Sequence, residues 1–205
     1  STCMYPAAAP NPLSEDMILT GPLEATNEGY ALAKIMAMRL CNYINREDSK
    51  ARFKTLIPCN LFGPHDKFDP KYSHLLSAII HKVHQAKTKG APNVEIWGNG
   101  KARREFMYAP DLADAVLRAA MYIETCPELI NIGFGNDFTI NEYYSEVADV
   151  IDWEGKFIHD LTRPVGMNQK LCDTRRATEW GWSAPTSLRV GIEETYKFYC
   201  ERYGK

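Results

Sequence analysis

Residues 24–46 read EATNEGYALAKIMAMRLCNYINR. Thr26 or Asn27 supplies a helix N-cap, and Leu32, Ile35, Met36, Leu40 and Ile44 recur at helical spacing. The stretch therefore predicts a helix from about Glu24 to about Arg46. Tyr30 and Lys34 stand four residues apart, which puts them on one helix face. A free phenol ionises near ~10 and is a poor proton donor or acceptor at neutral pH. A neighbouring ammonium stabilises the phenolate and draws its ionisation toward the working range for a carbonyl or alcohol oxygen. The same spacing also occurs on ordinary helix surfaces, so its surroundings decide between a site and a solvated face.

Working outward, the chain alternates strand and helix signals. FKTLIP (53–58) reads as a short buried strand stopped by Pro58, and the turn-rich loop CNLFGPHDKFDP (59–70) follows. Residues 73–86 are helical in pattern, VEIWG (94–98) is strand-like, and Asn99-Gly100 marks a turn. REFMYA (104–109) is a strand, and residues 110–123 open with Pro at a favoured helix position and carry an apolar stripe. LINIGF (129–134) is a strand, and Thr139-Ile-Asn-Glu142 has the capping-box form of a helix reaching about Ile151. KFIHD (156–160) predicts a strand, and SLRVGIEETYKFYCERY (187–203) a closing amphipathic helix. The pattern is α/β. No repeat or low-complexity tract interrupts it, and none of the 13 glycines forms the GxGxxG turn of a dinucleotide site.

Composition narrows the function classes. The 205 residues are 45% hydrophobic and 24% charged, within the range of a soluble globular protein. A net charge of −2 gives no bulk attraction to nucleic acid or to an anionic membrane. No apolar run is long enough to span a bilayer. Cysteines 3, 41, 59, 126, 172 and 200 show no paired spacing and no CxxC, which argues against zinc or a disulfide framework and for reduced thiols in the cytoplasm. The basic run KARR (101–104) suits a nucleotide phosphate or a solvated turn better than nucleic acid. The chain opens STCMYP, without methionine or leader, and reads as cut into from the left.

The Tyr30–Lys34 helix follows Ser1-Thr2-Cys3-Met4-Tyr5-Pro6, with the serine at a strand end. That arrangement resembles the Ser-Tyr-Lys site of the short-chain dehydrogenase/reductase superfamily. GPLEATNEGYALAKIMAMRLCNYINRE, IPCNLFGPHDKFDP, SHLLSAIIHKVHQA, VEIWGNGKARREFMYAPDLADAV and INIGFGNDFTINE together resemble the GDP-L-fucose synthase family across essentially the whole chain. The resemblance implies the C-terminal part of an extended short-chain dehydrogenase/reductase Rossmann-type fold with a smaller α/β substrate domain. Residues 1–70 would be what remains of the NADP-binding domain. Residues 71–205 would be mainly the substrate domain, with 129–140 able to return to the Rossmann sheet.

The implied activity is NADPH-dependent 3,5-epimerisation and 4-reduction of GDP-4-keto-6-deoxy-D-mannose, by a homodimer in the full-length protein. A ketone at C4 acidifies C3 and C5, so inversion needs a base and an acid on opposite faces. By resemblance Cys3 is the base and His74 the acid, both of types that exchange protons near neutrality. Tyr30 would protonate the alkoxide, Lys34 would assist it and reach the nicotinamide ribose, and Ser1 would hold the C4 oxygen. Pro58, Cys59, Asn60, Leu61 and His74 would line the cofactor, and Lys82, Trp97, Arg104 and Asp160 the GDP-sugar. Lys170 is a further residue within possible reach of the substrate.

Other readings of these residues stand beside the resemblance. Cys3 also fits a small core residue, His74 a surface histidine, and Asp160 and Lys170 solvated positions. Lys82 stands where some members carry arginine. Without the first strands and the glycine-rich turn, the expectation is a fragment weakly active or inactive alone. Related GDP-colitose or GDP-heptose enzymes and a non-catalytic nucleotide-sugar-binding fragment are the alternatives.

Overall fold

The computed structural model describes residues 1–69, 72–163 and 167–204. Its helices are α1 (Glu28–Glu47), α2 (Leu75–Lys89), α3 (Ala109–Met121), α4 (Ile140–Ile151), α5 (Arg175–Glu179) and α6 (Leu188–Tyr203). Its strands are β1 (Thr55–Pro58), β2 (Asn60–Phe62), β3 (Asn93–Trp97), β4 (Arg103–Arg104), β5 (Phe106–Tyr108), β6 (Leu129–Ile132), β7 (Phe138–Thr139), β8 (Lys156–Asp160) and β9 (Gln169–Lys170). The α/β alternation expected from the sequence is present. The short strands β4, β7 and β9 and the one-turn helix α5 carry too few residues to show a period.

The residues divide into two compact units. The first comprises Ser1–Asn60, Glu105–Asn136 and Lys170–Pro185. Its centre is the parallel pair β1 and β6, registered Thr55↔Leu129 to Pro58↔Ile132. Ile57, Ile130, Asn131 and Ile132 have no exposed surface, which is why LINI reads as a continuous run rather than an alternating one. Met4, Tyr5, Leu13, Ile18, Ile35, Met38 and Ile57 pack together as its core.

Helix α1 corrects part of the expected apolar stripe. It buries Ala31, Ile35 and Met38, whereas Leu32, Met36 and Leu40 are exposed. One helix turns only a stripe of its surface to a core. The apolar residues of 24–46 outnumber that stripe, and the surplus forms a second, outward row.

The second unit comprises Leu61–Arg104, Asp137–Gln169 and Thr186–Lys205. Here β3 and β8 run parallel, registered Asn93↔Lys156 to Trp97↔Asp160. Strand β3 alternates exposed and buried residues, with Val94 and Ile96 inward. Helix α2 buries Leu76, Ile79, Ile80, Val83 and Ala86. It ends at Gly90, whose φ of 63° is the left-handed conformation that closes a helix, with Ala91 N donating to Ala86 O at 2.8 Å. Helix α4 begins with the anticipated capping box. Glu142 N donates to Thr139 Oγ1 at 3.1 Å, and Thr139 N donates to Glu142 Oε2 at 2.6 Å. Thr139→Ala is expected to lower stability by about 1 kcal/mol, read from the urea unfolding midpoint.

Between α2 and α6 two histidines meet tyrosine hydroxyls. His81 Nδ1 lies 2.8 Å from Tyr199 Oη, and His84 Nδ1 lies 3.1 Å from Tyr196 Oη. Burial is the main cause that lowers both imidazoles. His84 and Lys89 add to it at His81, with Asp69 opposing, and Lys87 adds to it at His84. Below about pH 6.5 the unfolded chain takes up protons that the native histidines refuse. Stability is therefore expected to fall as pH drops through that value toward the lowered native ones. Urea midpoints at about pH 7.5 and about pH 5.5 measure this, and the double variant His81→Gln/His84→Gln should flatten the difference.

Candidate functional site

Ser1 and Cys3 stand on a single 3₁₀ turn. Ser1 caps it, its Oγ accepting from Cys3 N at 3.4 Å, and Met4 N donates to Ser1 O at 3.1 Å. Thr2, Met4 and Tyr5 face the core, which leaves Ser1 and Cys3 half-buried beside α1. On α1, Tyr30 and Lys34 are exposed, and Lys34 Nζ lies 5.5 Å from the centre of the Tyr30 ring. The Ser1 nitrogen lies within electrostatic reach of the Lys34 ammonium and of the Cys3, Cys59 and Cys172 thiols. One neighbourhood of the first unit thus holds the serine, the cysteine and the lysine.

The turn after β1 lies in the same unit. Cys59 N continues the sheet by donating to Ile132 O at 3.0 Å. Burial, with Glu105 nearby, pushes the Cys59 thiol well up, so it is a packing thiol. Asn60 Nδ2 donates to Glu105 O at 3.0 Å. Pro58 is half-buried, as is Leu61 at the start of the second unit.

Glu105 was not anticipated. Its side chain is buried, yet Oε1 accepts from Gly135 N and Oε2 from Cys172 N, each at 2.8 Å. Burial pushes the carboxyl up, and these N–H donors oppose that. A Cβ on Gly133 would stand 2.4 Å from Glu105 Oε1, so the carboxyl occupies space that only glycine leaves open. A carboxylate directly before the apolar run Phe106-Met107-Tyr108 is the signal that could have found it. Glu105→Gln replaces one acceptor with an amide that faces an N–H. It is expected to cost about 1–3 kcal/mol in urea unfolding.

In the second unit, His74 is the exposed residue preceding α2, where it makes no capping bond through its side chain. Lys82, Trp97 and Asp160 come together. Trp97 and Asp160 are register partners at the C-terminal ends of parallel strands, the edge where α/β sheets bind ligands. Lys82 Nζ lies 5.2 Å from the Trp97 ring centre, and Trp97 Nε1 donates to Glu95 Oε1 at 2.9 Å. Burial lowers the Lys82 ammonium, with Glu95 opposing. Trp97 is 58% exposed, so its indole offers apolar surface to a ligand.

The Asn99-Gly100 turn beyond Trp97 is braced. Gly100 has φ of +68°, and a Cβ there would lie 1.8 Å from Asn141 Oδ1. That same oxygen accepts from His159 Nε2–H at 2.9 Å. Arg104 lies on β4, its Nη1 donating to Arg103 O at 2.7 Å, and Tyr143 Oη donates to Arg104 O at 2.8 Å. Lys170 is half-buried on β9 and is grouped with the first unit. The described residues hold no cluster of histidine, cysteine or carboxylate side chains able to bind a metal ion.

Residues 1–133 match the family model described as the NAD dependent epimerase/dehydratase family. The chain is 51% identical over 199 residues to the GDP-L-colitose synthase of Yersinia pseudotuberculosis, a match covering 97% of this chain and 65% of that protein. It is equally, 51%, identical over 199 residues to the GDP-L-fucose synthase of Azorhizobium caulinodans, covering 97% of this chain and 64% of the relative. The chain thus spans less than two thirds of these relatives. Among solved structures, the NADP-bound GDP-L-fucose synthetase of Naegleria fowleri superposes with a TM-score of 0.89 at 27% identity, covering 100% of this chain and 65% of that one.

Proposed function

The chain belongs to the NAD dependent epimerase/dehydratase family, and from that premise we propose that it is part of an NADPH-dependent enzyme that converts GDP-4-keto-6-deoxy-D-mannose to GDP-L-fucose by 3,5-epimerisation and 4-reduction. The observation that carries this reading is the gathering of Ser1, Cys3 and Lys34 in one neighbourhood, with Tyr30 one helical turn before Lys34. In this reading the first unit holds the rest of the NADP-binding domain and the second unit the substrate domain.

The residues present fit a nicotinamide cofactor. Lys34 offers an exposed ammonium beside the Tyr30 phenol, a donor set suited to a ribose hydroxyl. The Pro58–Leu61 turn would form a wall against the nicotinamide. NADPH supplies a hydride when bound. Tyr30 gives the proton to the oxygen at C4, and Lys34 stabilises the phenolate left behind. Ser1 orients that oxygen through its hydroxyl. Cys3 removes a proton beside the ketone, and His74 returns one on the other face. Their half-buried and exposed positions suit groups that must meet a ligand. Asn60, with Nδ2 held by Glu105 O, presents a fixed amide oxygen. Lys82, Trp97, Arg104 and Asp160 bind the GDP-sugar. A GDP-colitose enzyme is the second reading, supported by a relative of equal identity.

The outward apolar row of α1 supports a homodimer. Six free thiols support a reducing compartment, the cytoplasm. The net charge of −2 supports a protein without nucleic-acid partners. No described helix is long and apolar enough to cross a membrane.

Calorimetric titration of the chain with GDP, and with UDP as control, tests the substrate half. Selective GDP binding that weakens about tenfold in Arg104→Ala is the expected outcome. Equal binding of both nucleotides by the folded chain would overturn the guanosine assignment. The 205-residue chain, which lacks a GxGxxG turn, is expected to oxidise NADPH weakly or not at all with the keto-sugar. A panel of GDP-4-keto-sugars on an enzyme that includes the glycine-rich half separates the fucose and colitose readings.

A further inference from the structure

The turn that carries Ser1 and Cys3 is held through its two enclosed neighbours. Met4 packs in one core with Ile35 and Met38 of α1, the helix that carries Tyr30 and Lys34. Tyr5 reaches into β6, where its hydroxyl donates to Asn131 Oδ1 at 2.5 Å. Tyr5 is 3% exposed and Asn131 has no exposed surface, so water does not compete for that bond.

A phenylalanine would fill the same apolar space, so the hydroxyl has a separate use. Apolar packing is non-directional and lets a turn slide by fractions of an ångström. A hydrogen bond holds both a distance and an angle, and proton transfer depends on placing groups within about 2.6–3.2 Å of the reacting atom. Burial, with Cys172 and Glu15 adding to it, pushes the Tyr5 phenol far up against the opposing effects of Asn131 and Arg176. The hydroxyl therefore keeps its proton and remains a donor. Its acceptor is fixed as well. Asn131 Nδ2 donates to Leu13 O at 2.8 Å and to Asp173 O at 3.1 Å, and Asn131 N donates to Glu15 Oε1 at 2.7 Å. Turning the amide over would set Oδ1 against two carbonyl oxygens. Tyr5 thus meets one fixed point in β6.

We propose that Tyr5 is a positioning residue, whose hydroxyl bond to Asn131 sets where Cys3 and Ser1 stand relative to Tyr30 and Lys34. This rests on the reading of those four residues as the reacting groups. Tyr5 is enclosed and meets no substrate, so it acts through Cys3 and Ser1.

Iodoacetamide labelling, read cysteine by cysteine in a mass spectrometer, tests the anchor in the 205-residue chain. Tyr5→Phe is compared with Ile35→Val, a core change of similar cost that keeps the hydroxyl. Tyr5→Phe is expected to label Cys3 up to about tenfold faster, the equivalent of one buried hydrogen bond. The buried Cys59 and Cys172 should stay protected, and the half-buried Cys41 and Cys200 should label as before. Ile35→Val should leave Cys3 unchanged. In an enzyme that includes the glycine-rich half, Tyr5→Phe should lower kcat about tenfold and leave KM for the keto-sugar unchanged. Uptake of solvent deuterium beside the ketone should slow with it. Unaltered Cys3 labelling in Tyr5→Phe, or faster labelling with kcat unchanged, would overturn the proposal. Labelling of Cys59 and Cys172 together with Cys3 would also overturn it, since the hydroxyl would then stabilise the whole unit. Each of these outcomes leaves the epimerase and reductase reading standing. An unaltered enzyme that turns over no GDP-4-keto-sugar would instead remove that reading, and with it the part assigned to Tyr5.

Discussion

Asn131 is the buried polar hub on which the first unit depends. It lies in β6 with no exposed surface, and every polar atom of its side chain is used. Tyr5 Oη donates to its Oδ1 at 2.5 Å, and its Nδ2 donates to Leu13 O at 2.8 Å and Asp173 O at 3.1 Å. Its backbone N donates to Glu15 Oε1 at 2.7 Å, and Glu15 in turn faces Arg176 Nε at 3.5 Å. An amide in an apolar core is costly unless its bonds are met. Met together, they tie Tyr5, the Leu13–Glu15 stretch and the stretch around Asp173 to one strand. Tyr5 directly follows the turn that carries Ser1 and Cys3. Holding its hydroxyl inside fixes where the serine and cysteine emerge.

Glu105 does for the Pro58–Leu61 turn what Asn131 does for the Ser1–Cys3 turn. A buried carboxylate gathers backbone N–H groups from Gly135 and Cys172, and its own carbonyl holds Asn60. Around each polar hub the groups proposed for chemistry are more exposed than their supports. Tyr30 and Lys34 lie at the surface and Ser1 and Cys3 are half-buried, while Tyr5, Asn131 and Glu105 are enclosed. Rigid, fully bonded supports under accessible reactive groups are what precise proton transfer requires. In the second unit the support is the β3–β8 register, which sets Trp97 opposite Asp160 at the C-terminal end of both strands.

The elements whose formation depends on nearby residues were legible. The 24–46 helix, the capping box at Thr139 and the strand KFIHD were all read, because caps, periodicity and turns act over a few residues. Two-residue strands such as β7 and β9 were not, since they pair with distant chain. The outward turn of Leu32, Met36 and Leu40 was equally hidden. Periodicity shows that a helix has an apolar face, and only the position of the core chooses which face is covered.

For the candidate site, the sequence by itself determined the residue types and their local spacing. Tyr30 and Lys34 share a face because a helix repeats about every four residues, and the motifs around them resemble a keto-sugar epimerase and reductase. Tertiary structure alone decided which distant groups act together. Arg163 reaches Trp97 because β8 runs beside β3, and Glu105 meets Cys172 because the chain returns to the first unit after an excursion through the second. Such partners lie scores of residues apart, where no local periodicity links them. Side-chain packing and the need to satisfy every buried polar atom bring them together.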